Sequence, residues 1–223
     1  MVLLRALIFD FDGTILDTET PEVEAWRAIF RSHGLAYPDE YWMNAIGRGA
    51  DEIDKTPIQL LSELAGCEID KASVILEYER LRMSAINAAE CRAGICELTF
   101  QAMTAGLGLG IASSSHHAWV DGLLMRLGLF DSFPVIACAD DVPRAKPYPD
   151  LYLAACEGLG VDPVDAAAIE DSPNGIRAAK SAGLRVVAIP NPCTVQMDLG
   201  EADLVLDSAE LLTLERMEAL SFS

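Results

Sequence analysis

At 223 residues, 51% apolar and 23% charged, the chain can fold around a sizeable core, which excludes a disordered polypeptide. A formal net charge of -19 argues against nucleic acid and anionic membrane as partners, since both carry the same sign. Six cysteines with no Cys-x-x-Cys pair and no Cys/His cluster fit a reducing cytoplasm, where they serve as small hydrophobes.

The opening "MVLLRALIFD" contains the first expected strand, Leu3–Phe9, and Arg5 interrupts it too early for a signal peptide. No apolar window of about 18 residues suggests a membrane span, so the cytoplasm is the expected location. From Thr20 to Ala89 only helical signals follow. Thr20 is the expected N-cap of a first helix, with Pro21 at its first position and Gly34 as its stop. Pro38 and Pro57 open two more helices, and Glu68–Glu90 reads as a long amphipathic one. Seventy-odd helical residues between strands are too many for a loop, which predicts a helical cap domain over 18–89. Residues 1–17 and 90–223 then form the core domain.

In that core, helix Ile95–Ala105 precedes a strand at Leu107–Ala112, and helix Ala118–Leu127 follows it. Strand Val135–Ala139, helix Pro149–Leu159, strand Ala167–Ile169, helix Asn174–Ala182, strand Val186–Ile189 and helix Glu210–Ala219 complete the alternation. Strands alternating with helices imply right-handed crossovers and a Rossmann-like parallel sheet covered on both faces. The expected class is α/β with an inserted α-helical cap.

Ligands of open parallel sheets bind beyond the carboxyl ends of the strands. Asp10 and Asp12 follow the first strand, Ser113-Ser114-Ser115 the second, Lys146 lies past the third, and Glu170-Asp171 follow the fourth. Taken singly these are ordinary features: an Asp-Gly turn, a serine N-cap, a loop lysine, and acids at a helix start. Together they converge on one crevice. Acids at 10, 12, 170 and 171 repel one another unless a hard cation lies among them, and Mg²⁺ suits a few carboxylates plus a substrate phosphate. Asp10 is then a carboxylate nucleophile, Asp12 a general acid and base, Ser113 a phosphoryl donor site and Lys146 a fixed positive charge.

These residues resemble the four motifs of the haloacid dehalogenase superfamily. "DFDGT" (10–14) is similar to the first, Ser113 to the second, Lys146 to the third and "EDSPNG" (170–175) to the fourth. The branch with a helical cap, including β-phosphoglucomutase and sugar-phosphate phosphatases, is the most similar. The resemblance implies an aspartyl-phosphate on Asp10, Asp12 as acid/base with its main-chain carbonyl on Mg²⁺, Asp171 as a ligand, and Glu170 as a ligand or an acid just behind one. It implies substrate contacts from Gly13, Thr14, Ser114, Ser115, His116, and, in the cap, Arg48 of "AIGRGADEI" and Glu22. Trp26 has an equal claim to the cap core. Asp12 favours phosphoryl transfer over dehalogenation, and Glu22 stands where the mutase carries a histidine, which disfavours mutase activity. His116 and His117 have no metal-like spacing and are not read as zinc ligands.

The leading expectation is a phosphatase for a small phosphorylated metabolite, working as a monomer or weak homo-oligomer. A phosphomutase using the same aspartyl-phosphate comes second and a non-catalytic phosphometabolite binder third. A binder has no use for both Asp10 and Asp12.

Overall fold

A computed structural model describes residues 4–38, 40–41 and 55–219. The chain divides into two compact units: residues to Leu16 with those from Glu90 onward, and Asp17–Ala89. The larger unit is a six-stranded sheet in the order β3-β2-β1-β4-β5-β6, every pairing parallel. Its strands are β1 Ala6–Phe9, β2 Gly108–Ala112, β3 Val135–Ala137, β4 Ala166–Glu170, β5 Arg185–Ala188 and β6 Leu204–Val205. This order reverses between β1 and β4, so the crevice of the doubly wound fold opens at their carboxyl ends. Phe9 pairs with Ile169 in register, which brings the residues after β1 beside the end of β4.

Strand alternation accounts for the layers. Ala6 and Ile8 join a cluster with Leu151, Tyr152 and Ile176, while Leu7 and Phe9, equally buried, project from the opposite face. Phe9 meets Phe133 edge-to-face at 5.6 Å. Alanines of β4 face Ala178 and Ala179, small side chains that allow close helix–sheet approach.

The smaller unit holds helices α1 Glu19–Ser32, α2 Pro57–Ala65 and α3 Lys71–Ala88. Trp26, Ile29, Phe30, Tyr37, Leu61, Ile69 and Val74 form its core, with Trp26 stacked on Tyr78 at 4.6 Å. Thr56 and Gln59 form a capping box around Pro57.

Three sequence expectations need correction. The first helix begins at Glu19, not after Thr20, because the Asp17 carboxylate accepts the Thr20 N–H at 2.9 Å and organises the turn earlier. The terminal helix expected over 210–219 splits into a 3₁₀ turn at Ala209–Leu211 and a helix at Leu214–Glu218, each with its own capping hydroxyl, Ser208 and Thr213. The helix expected over 68–90 runs from Lys71 to Ala88 and buries only Val74 and Ile86, with Asp70 as N-cap. The helix expected after Pro38 and the Arg48 loop fall largely or wholly outside the described residues. No disulfide joins the six cysteines. No helix among the described residues is long and apolar enough to cross a membrane.

Candidate active site

Asp10 follows β1 and is 6% exposed. Its Oδ1 is ion-paired with Lys146 Nζ, while its Oδ2 is buried with no hydrogen-bond partner. Lys146 also donates to Glu170 Oε1 at 2.6 Å and lies over the Tyr152 ring. Glu170, the last residue of β4, is wholly buried. Its oxygens accept from Lys146, from Tyr152 Oη at 2.7 Å, and from the main-chain N–H groups of Asp171 and Ser172. Asp171 accepts from Asn191 Nδ2 at 2.6 Å and, more weakly, from Thr14 Oγ1 at 3.4 Å.

One oxygen from each of Asp10, Glu170 and Asp171 lies within 4.8 Å of the others. Three buried carboxylates thus cluster together, and two of them, Asp10 and Glu170, share the Lys146 ammonium. Burial pushes the Asp10 carboxyl up to about 8 despite the attraction of Lys146, and the Glu170 charge pushes the same way. Burial alone lowers the Lys146 pKa, but Asp10 and Glu170 outweigh it and hold the ammonium charged above its ordinary range. An all-oxygen donor set with surplus negative charge and an unpartnered carboxylate oxygen fits a hard divalent cation.

Two glycines make this packing possible. Gly13 has φ +82°, and a Cβ there would lie 2.5 Å from Asp171 Oδ2 and 2.6 Å from Asn191 Nδ2. At Gly175, in the helix Pro173–Ala182, a Cβ would overlap the Glu170 carboxylate at 1.8 Å.

On the neighbouring turn, Ser113 is 1% exposed and its Oγ accepts the Ser115 N–H at 3.0 Å, which leaves its own proton to donate. Asp12 does not share the Lys146 contact: Ser115 Oγ and Trp119 Nε1 hold its carboxylate.

The family model for "haloacid dehalogenase-like hydrolase" matches residues 4–183. This chain is a haloacid dehalogenase-like hydrolase. It is similar to YhcW of Bacillus subtilis (strain 168), whose name marks it as a candidate phosphatase, at 42% identity over 92% of each chain. It is also similar to the β-phosphoglucomutase of the same organism, at 33% identity over 95% of this chain and 93% of that one. The structure of CbbY from Rhodobacter sphaeroides in complex with phosphate superposes with a TM-score of 0.72, at 31% identity, over 97% of this chain and 100% of that one. The hydrolase is therefore an enzyme, with phosphatase and mutase names among its relatives.

Several residues assigned by sequence to the substrate are occupied within the hydrolase itself. Ser115 bonds Asp12, and Thr14, fully buried, points to Asp171. Ser114 and His116 are exposed, with His116 Nδ1 3.6 Å from Asp140. Within the smaller unit, Glu22 hydrogen-bonds Tyr78. Four contributing residues escaped the sequence reading: Tyr152 and Asn191 above, Trp119, and Arg92. Arg92 donates from Nη1 to the carbonyls of Gly13 and Ile189 and from Nη2 to that of Pro190, binding the loop after β1 to the chain after β5. Asn191 stands past the end of β5, so the strand-end rule extended by one strand would have found it.

His117 gathers with Cys138 and Asp140, a cluster that linear spacing had hidden. Its two ring nitrogens are bonded to Asp121 at 3.1 Å and Asp141 at 2.9 Å. Burial draws its pKa down, but hydrogen bonds and charge from these aspartates leave it above the ordinary 6.5. A raised folded-state pKa contributes stability fully present below about pH 6.5 and lost as pH rises through the higher folded value. The His117→Gln variant should thus lose stability near pH 6 but little near pH 9, by about 1 kcal/mol at most, because the side chain is 36% exposed. Urea unfolding at the two pH values tests this, and an equal loss at both would contradict the ion-pair account.

Proposed function

We propose that this hydrolase is a Mg²⁺-dependent phosphatase that cleaves a small phosphomonoester, a sugar phosphate or phosphoglycolate-like metabolite, through an aspartyl-phosphate on Asp10. It works in the reducing cytoplasm as a monomer or weak homo-oligomer. The observation that carries the reading is the buried set of Asp10, Glu170 and Asp171, the first two paired with the Lys146 ammonium, with Asp10 Oδ2 unpartnered.

Asp10, Asp171 and the main-chain carbonyl of Asp12 would hold Mg²⁺, with Glu170 behind Lys146 rather than on the ion, since protein donors already occupy its oxygens. When bound, Mg²⁺ offsets the carboxylate repulsion and draws charge from the phosphoryl oxygens. Asp10 attacks phosphorus, the bond to the leaving oxygen breaks, and Asp12 donates a proton to that oxygen. Asp12 then takes a proton from water, which attacks phosphorus and releases Asp10. Lys146 keeps Asp10 oriented, and the Ser113 proton is available to a phosphoryl oxygen. Each is a preset charge or donor at a position where negative charge develops.

Phosphate release from p-nitrophenyl phosphate and a panel of sugar phosphates should require Mg²⁺ and stop when EDTA removes it. A purified enzyme that releases phosphate from no member of the panel would falsify the proposal. A mutase is the second reading, supported by the similarity to a β-phosphoglucomutase. It predicts activation by a sugar bisphosphate and accumulation of an isomeric sugar phosphate, in place of inorganic phosphate.

A further inference from the structure

Both oxygens of the Asp12 carboxylate are held from one short segment. Ser115 Oγ donates to Oδ2 at 2.6 Å, and Trp119 Nε1 donates to Oδ1 at 2.8 Å. Ser115 is itself anchored, its N–H to Ser113 Oγ at 3.0 Å and its carbonyl accepting from Ala139 N at 3.0 Å. Trp119 is the third residue of the helix His117–Leu127, and its N–H reaches the His116 carbonyl at 2.9 Å. The two donors therefore approach the carboxylate from a rigid turn and from the first turn of a helix.

An indole N–H is a donor only, so it can orient a carboxylate without competing for the proton that carboxylate must exchange. Proton transfer needs a heavy-atom approach of about 2.6–3.2 Å, and an aspartate free to rotate at the tip of a loop meets that condition only part of the time. We infer that Trp119, assisted by Ser115, is a positioning residue that fixes the Asp12 carboxylate for proton transfer to and from the reacting oxygens. The inference rests on the acid/base reading of Asp12 proposed above.

Leaving-group basicity separates this role from simple packing. Phenyl phosphate and p-nitrophenyl phosphate have similar shapes, but the phenolate needs protonation far more than the nitrophenolate. In Trp119→Phe, which keeps an aromatic ring and removes the N–H, kcat/KM for phenyl phosphate should fall about 10-fold further than for p-nitrophenyl phosphate, a part of the 10²–10⁴ that general acid catalysis supplies. Ser115→Ala should show the same bias and Ser115→Thr should restore it, which keeps the test open if the tryptophan variant folds poorly. Equal losses with both esters in Trp119→Phe and Ser115→Ala, or no loss in either, would overturn the positioning role. Asp12→Ala sets the scale. If it shows the bias and the other variants do not, only the positioning role fails; if it shows none, the acid assignment itself fails.

Discussion

Asp10→Asn should release no measurable phosphate, a loss of at least about four orders of magnitude, comparable to removing the nucleophile from other covalent hydrolases. The same change should leave the fold intact or slightly stabilised. Asp10 is buried, its carboxyl is pushed up to about 8, and one of its oxygens has no partner, all signs that the negative charge is held there against its own solvation. A neutral amide of the same shape is less costly to bury. Phosphate release measured beside thermal unfolding separates the two effects. An inactive variant that is also several degrees less stable would recast Asp10 as a structural residue, and an active one would remove the nucleophile.

The residues that sequence reading found and those it missed differ in a physical way. Asp10, Ser113 and Glu170-Asp171 stand next to strand ends, where the chain path alone dictates location, so a one-dimensional pattern carries a three-dimensional placement. Lys146 was reached by its place past the third strand, and its ammonium does meet Asp10 and Glu170. Tyr152 and Trp119 sit on helices, where an aromatic at apolar spacing reads as core. Their polar atoms matter only because each helix packs so that Oη or Nε1 meets a carboxylate, a fact of tertiary registration that no spacing encodes. Arg92 acts through a guanidinium that spans three carbonyls from two separate loops, which is equally invisible in the linear chain. At the fold level the parallel sheet was legible because five of its six strands are short branched or alanine-rich runs that alternate with helices. The two-residue β6 was not, since its pairing with β5 depends on the loop from Asn191 to Asp203 and not on any periodicity of its own.

Lys146→Met should destabilise the protein more than the loss of one surface ion pair, and in a pH-dependent way. The Lys146 side chain is 6% exposed and is the ammonium shared by Asp10 and Glu170. Its removal leaves two buried carboxylates facing each other, a situation that costs about 3–5 kcal/mol when the charges cannot escape. They can escape by protonation. With Lys146 present burial already holds Asp10 up at about 8; without that opposing charge, the Asp10 pKa rises further. A carboxyl whose folded pKa exceeds its unfolded value loses stability as pH rises between the two. The deficit should therefore be smaller near pH 7, where Asp10 carries its proton with or without Lys146, and grow as pH rises past about 8, toward about 3 kcal/mol near pH 10. Mg²⁺ should recover part of it at the higher pH by supplying the missing positive charge, while turnover remains depressed by about 10²–10³-fold because the phosphoryl oxygens lose a fixed cation. Urea unfolding at both pH values, with EDTA and with Mg²⁺, reads all three effects. A deficit independent of pH and of Mg²⁺ would mean that Lys146 stabilises through packing on Tyr152, and that the surplus charge at the carboxyl ends of β1 and β4 is neutralised by something other than a divalent ion.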